Sequence, residues 1–162
     1  MKFLYLFFFI IFFKNINSLE LFCKFEEVYQ NGEIQQGFFL VKDNKFRYEY
    51  NSKNLYTIIH NQNIFLLIEN TDTSRFFKLE KDTEVLEAIS EIINDYPNFK
   101  KDYYLDNAIL KVEFNKKDFV KRIVLLSEKI NLSVYINDCE FLPIKNIYFS
   151  YSPFFKYKFH ND

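Results

Sequence analysis

What most restricts the fold of this chain is an alternation of apolar and polar residues that recurs in short runs and breaks once into a longer period. Alternation with period two marks a strand that buries one face, because successive side chains point to opposite sides of a sheet. In "LELFCKFEEVY" it puts Leu21, Cys23 and Phe25 together, and "QNGEIQQG" then turns the chain. Asn31-Gly32 in that turn suits positive φ. The runs "GFFLVK" and "KFRYEY" are separated only by Asp43-Asn44. That spacing predicts a tight hairpin with Lys42 opposite Lys45, Val41 beside Phe46 and Phe39 beside Tyr48. "LYTIIH" and "IFLLIE" flank Asn61-Gln62 in a second expected hairpin, and "RFFKL" reads as a short strand.

From Asp82 the period changes. "DTEVLEAISEIIND" carries Val85, Leu86, Ile89, Ile92 and Ile93 at helical spacing, with Asp82 or Thr83 as the expected N-cap and Pro97 as the stop. Alternation then returns in "AILKVEF", "FVKRIVLLS", "INLSVYI" and "IKNIYFSY". The expected order is about five strands, one helix and about four strands, a mainly β domain built as an antiparallel meander.

The composition raises a problem of coverage. The 162 residues include 22 Phe and 12 Tyr, and strands such as "IFLLI" are apolar on both faces. One helix of about three turns does not cover a broad sheet. The surplus is matched by tight self-packing, by a partner or by an apolar ligand. A codon bias of an AT-rich genome is a further source of Phe and Tyr. A net charge of -1 argues against a nucleic-acid partner, which calls for a basic face.

The N-terminus reads "FLYLFFFIIFF" from Phe3 to Phe13, behind Met1-Lys2 and ahead of a polar stretch. Its length suits a secretory signal and is short for a membrane span. The expected organisation is a cleaved signal peptide at 1–18 and one exported domain at 19–162, with an uncleaved membrane anchor as the alternative. Cys23 and Cys139 are the only cysteines. They are either a disulfide, as export permits, or two buried unpaired thiols. His60 and His160 are the only histidines, and no nucleophile elbow, Gly-rich phosphate loop or metal-ligand spacing is present. The expectation is a protein that is no enzyme and needs no cofactor or metal.

The segment "GFFLVK…KFRYEY" resembles the Gly-x-Phe-x-Leu-x-Arg-Pro-Gly-Lys-Phe-Arg-Trp-Glu-Tyr block of the LolA family through Gly37, Phe39, Val41, Phe46, Arg47, Glu49 and Tyr50, with Tyr48 at the tryptophan. "LFCKFEE" looks like that family's first strand, with Glu27 near its glutamine, and "FSYSP" like its closing Phe-x-Phe-x-Pro. The resemblance implies an incomplete antiparallel β-barrel with a helical lid over its concave face. It also implies a monomeric periplasmic chaperone in outer-membrane biogenesis. Such a carrier takes lipoproteins from an inner-membrane ABC transporter, shields their acyl chains in a hydrophobic cavity and delivers them to an outer-membrane receptor or membrane. A membrane-anchored lipid- or lipoprotein-sensing module on the same fold is the alternative. The family's cavity side, carried over by parity, implies an acyl-binding wall of Phe25, Phe39, Val41, Phe46, Tyr48 and Tyr50, with Leu66 and Ile68. Arg47 and Glu49 fall on the other face, as a cross-strand charge network or a guide for docking. Asp43-Asn44 replaces the family's longer Arg-Pro hairpin, whose arginine is associated with holding the lid closed.

Overall fold

The computed structural model describes residues 20–61, 64–72, 75–79, 84–116 and 119–151. The expected signal segment at 1–18, the expected helix caps Asp82 and Thr83, and the tail beyond Tyr151 lie outside the described residues. Six strands come first: β1 (Leu21–Tyr29), β2 (Ile34–Lys42), β3 (Lys45–Tyr50), β4 (Tyr56–Asn61), β5 (Ile64–Glu69) and β6 (Phe76–Leu79). The helix α1 (Glu84–Asp95) follows, then β7 (Asp102–Tyr104), β8 (Ala108–Phe114), β9 (Val120–Ser127) and β10 (Asn131–Phe141). All ten form one sheet in the order β6-β5-β4-β3-β2-β1-β10-β9-β8-β7. Neighbours in sequence pair as antiparallel hairpins, and β1 pairs with β10 to join the two halves. The edges β6 and β7 do not meet, so the sheet is not closed into a barrel.

Local chemistry sets the registers. Asp43 and Asn44 both adopt positive φ, 49° and 58°, which gives the mirror-image turn whose twist matches paired strands. Lys42 then faces Lys45, Val41 faces Phe46 and Phe39 faces Tyr48, as the two-residue spacing requires. In the second hairpin Asn61 faces Ile64, so Asn61 belongs to β4 and not to the turn. The helix begins with Glu84 and Glu87 in its first turn, where acidic side chains favour the dipole, and ends at Asp95, two residues before Pro97.

α1 lies over one face of the sheet, called here the inner face. Leu86 and Ile93 join Phe25, Val41, Phe46, Tyr48, Ile58 and Phe65 in one core cluster. Ala88 joins Tyr103, Leu110, Val112, Leu125 and Leu132 in a second. One helix therefore serves both halves of the sheet.

The outer face holds the largest departure from expectation. "IKNIYFSY" is not a strand: it contains a short 3-10 turn, Asn146–Phe149. The strand before it, β10, already has β1 and β9 on its two sides, so a further hairpin partner has no edge to join. The segment crosses the outer face instead, burying Ile144 and Phe149 against Phe22 and Leu40. Side chains of the sheet satisfy its backbone: Lys42 Nζ donates to Ile144 O at 2.6 Å, Arg47 Nη1 to Tyr148 O at 3.0 Å and Asn61 Nδ2 to Phe149 O at 3.1 Å. This third cluster accounts for Phe22, Phe38 and Leu40 on the outer face of β1 and β2.

Arg47 and Glu49 do not form a cross-strand network. Arg47 Nε and Nη2 both donate to Glu49 Oε2 of the same strand, at 2.8 and 2.5 Å, with Arg47 buried. Residues two apart share a face, so the pair forms within β3 and the C-terminal segment covers it.

Cys23 and Cys139 are disulfide-bonded. The bond depends on a bulge: Phe22 faces Glu140 but Lys24 faces Asn137, so Asp138 and Cys139 together oppose Cys23. The extra residue, at Asp138 with φ 46°, reverses the parity of β10. Val134 and Ile136 point inward before it, and Cys139 and Phe141 after it.

Candidate functional site

A cavity of about 330 Å³ lies between the inner face and α1. That volume is at the small end of ligand pockets, which run about 300–1,000 Å³. Of the eight residues expected on the wall, Phe39, Val41, Phe46, Tyr48 and Tyr50 line it. They reach it because the β2–β3 turn holds both strands in the register above. Phe25 is on the same face but behind the wall. Its ring stacks on Tyr48 with centroids 3.9 Å apart and meets Tyr50 edge-on at 5.6 Å.

Leu66 and Ile68 are on the opposite face, and the expectation for them is corrected. With Asn61 opposite Ile64, Phe65 faces His60 and Leu67 faces Ile58. Phe65 and Leu67 therefore take the inner positions and join the Phe46–Tyr48 cluster. The hydrophobic run "IFLLI" has no polar residue to mark its outward side, so its parity is not readable from composition.

The other half of the wall lies beyond what the sequence led us to expect. It comes from Leu110, Ile123, Leu125, Leu132 and Val134 on β8–β10, closed by Val85, Ile89 and Ile92 of α1. The alternation of Leu110 and Val112 against Lys111 and Glu113 holds the signal. The resemblance, concentrated in β2 and β3, draws the expected wall to one side. At one end Phe119 and Phe141, both more than two-fifths exposed, bring their rings to 6.1 Å.

One polar residue interrupts this lining. Glu27 is 4% exposed and belongs to the wall. Tyr48 Oη donates to its Oε1 at 2.6 Å, while Tyr29 Oη and Tyr50 Oη donate to its Oε2 at 2.8 and 2.9 Å. Among the described residues no ion pair forms with it. Burial, then the Glu27 charge, pushes the Tyr29 phenol up to about 12, and the same causes raise Tyr48 and Tyr50 well above the ordinary range. The three hydroxyls therefore stay donors. Strand alternation places Glu27 in phase with Cys23 and Phe25, and that phase is the signal in the sequence for a carboxylate turned inward.

Chemically, the site offers apolar surface and one shielded acceptor. Among the described residues no group of His, Cys, Asp and Glu could hold a metal ion, and no helix is long and apolar enough to cross a membrane.

No family model matches the chain, and no curated protein matches it. Among solved structures it is similar to the crystal structure of a LolA superfamily protein from Nitrosomonas europaea. The identity is 7%, the TM-score is 0.44, and the match covers 82% of this chain and 90% of that one.

Proposed function

We propose that the protein is a non-enzymatic carrier that shelters hydrocarbon chains between its sheet and α1. In this reading α1 acts as the lid. The cargo is the acyl portion of a lipoprotein, received from an inner-membrane ABC transporter and delivered to an outer-membrane receptor or membrane by a monomer working in the periplasm. The observation behind the proposal is the cavity, whose wall is hydrocarbon and aromatic ring apart from Glu27 and the Cys23–Cys139 disulfide. Each methylene that leaves water for such a wall contributes roughly 0.8 kcal/mol, so a tail of ordinary length binds without directional contacts. The Gly37–Tyr50 block, where the sequence resembles the carrier family, supplies the ring-rich part of that wall.

The direct test is native mass spectrometry of protein purified from its own compartment, where co-purifying lipid or lipoprotein is expected. A neutral apolar dye, N-phenylnaphthylamine, should brighten on binding. Phe46→Glu places an unpaired charge on the wall and should weaken dye binding by about tenfold or more while circular dichroism stays unchanged. A folded variant that binds the dye normally would remove Phe46 from the site. A wild-type protein that neither brightens the dye nor retains lipid would overturn the carrier reading.

A further inference from the structure

The cavity has two unlike ends. Leu21, Cys23 and Glu27 of β1 all line it, so it runs along seven residues of one strand, about 20 Å. At the Leu21 end the neighbours are the disulfide, Phe119 and Phe141, all apolar. Toward the other end Glu27 and the hydroxyls of Tyr29, Tyr48 and Tyr50 form a polar spot beside the apolar Val134, Leu132 and Leu125. A hydrocarbon chain alone gives no use for that polar spot, since a methylene offers a buried carboxylate neither a hydrogen bond nor an opposite charge.

Resting on the carrier reading above, we propose that Glu27 with Tyr48 and Tyr50 forms a headgroup subsite that takes an amphiphile whose polar end is a primary ammonium, and discriminates against one ending in a carboxylate. The charge balance points this way. Glu27 is buried with three neutral donors and no cation among the described residues, and a buried charge is best matched by its opposite. An ammonium carries three hydrogens. Tyr48 and Tyr50 each give a hydrogen to Glu27, and a phenol oxygen has two acceptor sites, so an arriving ammonium finds acceptors in both the carboxylate and the phenols. Tyr48 and Tyr50 stand edge to face, with centroids 5.5 Å apart, and present ring surface to which a cation is attracted. A carboxylate headgroup meets the reverse: like charge beside Glu27. Tyr29 and Tyr50 are each partly exposed, which leaves a head at this end close to water.

The test compares dodecylamine, dodecanol and dodecanoate, which share one chain, as displacers of N-phenylnaphthylamine at neutral pH below their micelle concentrations. The amine should displace the dye at a concentration lower than dodecanoate by about tenfold or more, with the alcohol between them. In Glu27→Gln the ratio of amine to dodecanoate should collapse to about one while the alcohol shifts less than about twofold. Tyr48→Phe keeps the carboxylate and the ring, and should retain the preference in weakened form; it decides the matter if Glu27→Gln does not fold. Equal displacement by all three ligands in the wild type would overturn the subsite and leave the apolar cavity standing. Failure of all three to displace the dye would overturn the subsite and the carrier reading together.

Discussion

Gly37 has no room for a side chain. A Cβ built there would overlap the Glu49 carbonyl oxygen and come 2.5 Å from the Phe25 ring, because that ring folds across the glycine to reach Tyr48. Gly37→Ala should therefore destabilise the protein by about 2–3 kcal/mol, read as a lower urea midpoint, since relief requires moving a strand or a stacked ring. A wild-type midpoint would show that the ring does not rest there. The buried tyrosines give a second prediction at this scale. Tyr29 and Tyr96 titrate near 12, both chiefly through burial, whereas an unfolded tyrosine titrates near 10. Groups whose folded pKa is raised contribute stability that is complete below about pH 10 and lost as pH climbs through about 12. Tyrosinate absorbance should thus lag in the folded protein and rise together with loss of circular dichroism. Complete ionisation near pH 10 with the fold intact would contradict the burial of these phenols. The residue scale is also where the sequence is most legible. A two-residue Asp-Asn turn dictates its own register, and that register alone brings Phe39, Val41, Phe46, Tyr48 and Tyr50 to one wall.

Among the elements, the segment after β10 has the least strand-like role and a large structural effect. Phe149 is 1% exposed against Phe22 and Leu40, and its neighbourhood is held by Lys42, Arg47 and Asn61 from three different strands. Phe149→Ala should lower unfolding free energy by about 3–5 kcal/mol, measured by chemical denaturation, yet leave dye affinity nearly unchanged because the inner wall lies across the sheet. A large loss of dye binding at unchanged stability would show that the outer cluster reaches the cavity. The spacing of apolar residues in "IKNIYFSY" suits a strand, yet the segment forms none. Spacing reports which residues want burial, and both a strand and a turn over an apolar surface provide it. β7 is illegible for the opposite reason: three residues, Asp102–Tyr104, are too few to show a period.

For the molecule as a whole, the decisive contact is β1 against β10. It joins the two hairpin arrays, and the Cys23–Cys139 bond fastens it across 116 residues of chain. Closing so long a loop in the unfolded state should contribute about 4–5 kcal/mol, so reduction should lower stability by that order and a denatured, unreduced sample should show no free thiol. Two reactive thiols in that sample would rule the bond out. The periods of β1–β3 and β8–β10, the helix α1, the Asp43-Asn44 turn and the excess of apolar surface were all determined by the amino-acid sequence itself, because each rests on residues within a few positions of one another. Three matters were decided only by the tertiary structure. The bulge at Asp138 turns Cys139 and Phe141 inward, the C-terminal segment makes part of the outer face of β1 and β2 into core, and the β4–β5 register sends Leu66 and Ile68 outward in place of Phe65 and Leu67. Each of these turns on which neighbour packs against a strand. An apolar strand with no polar side has no local preference for either face, so partners distant in sequence make the choice.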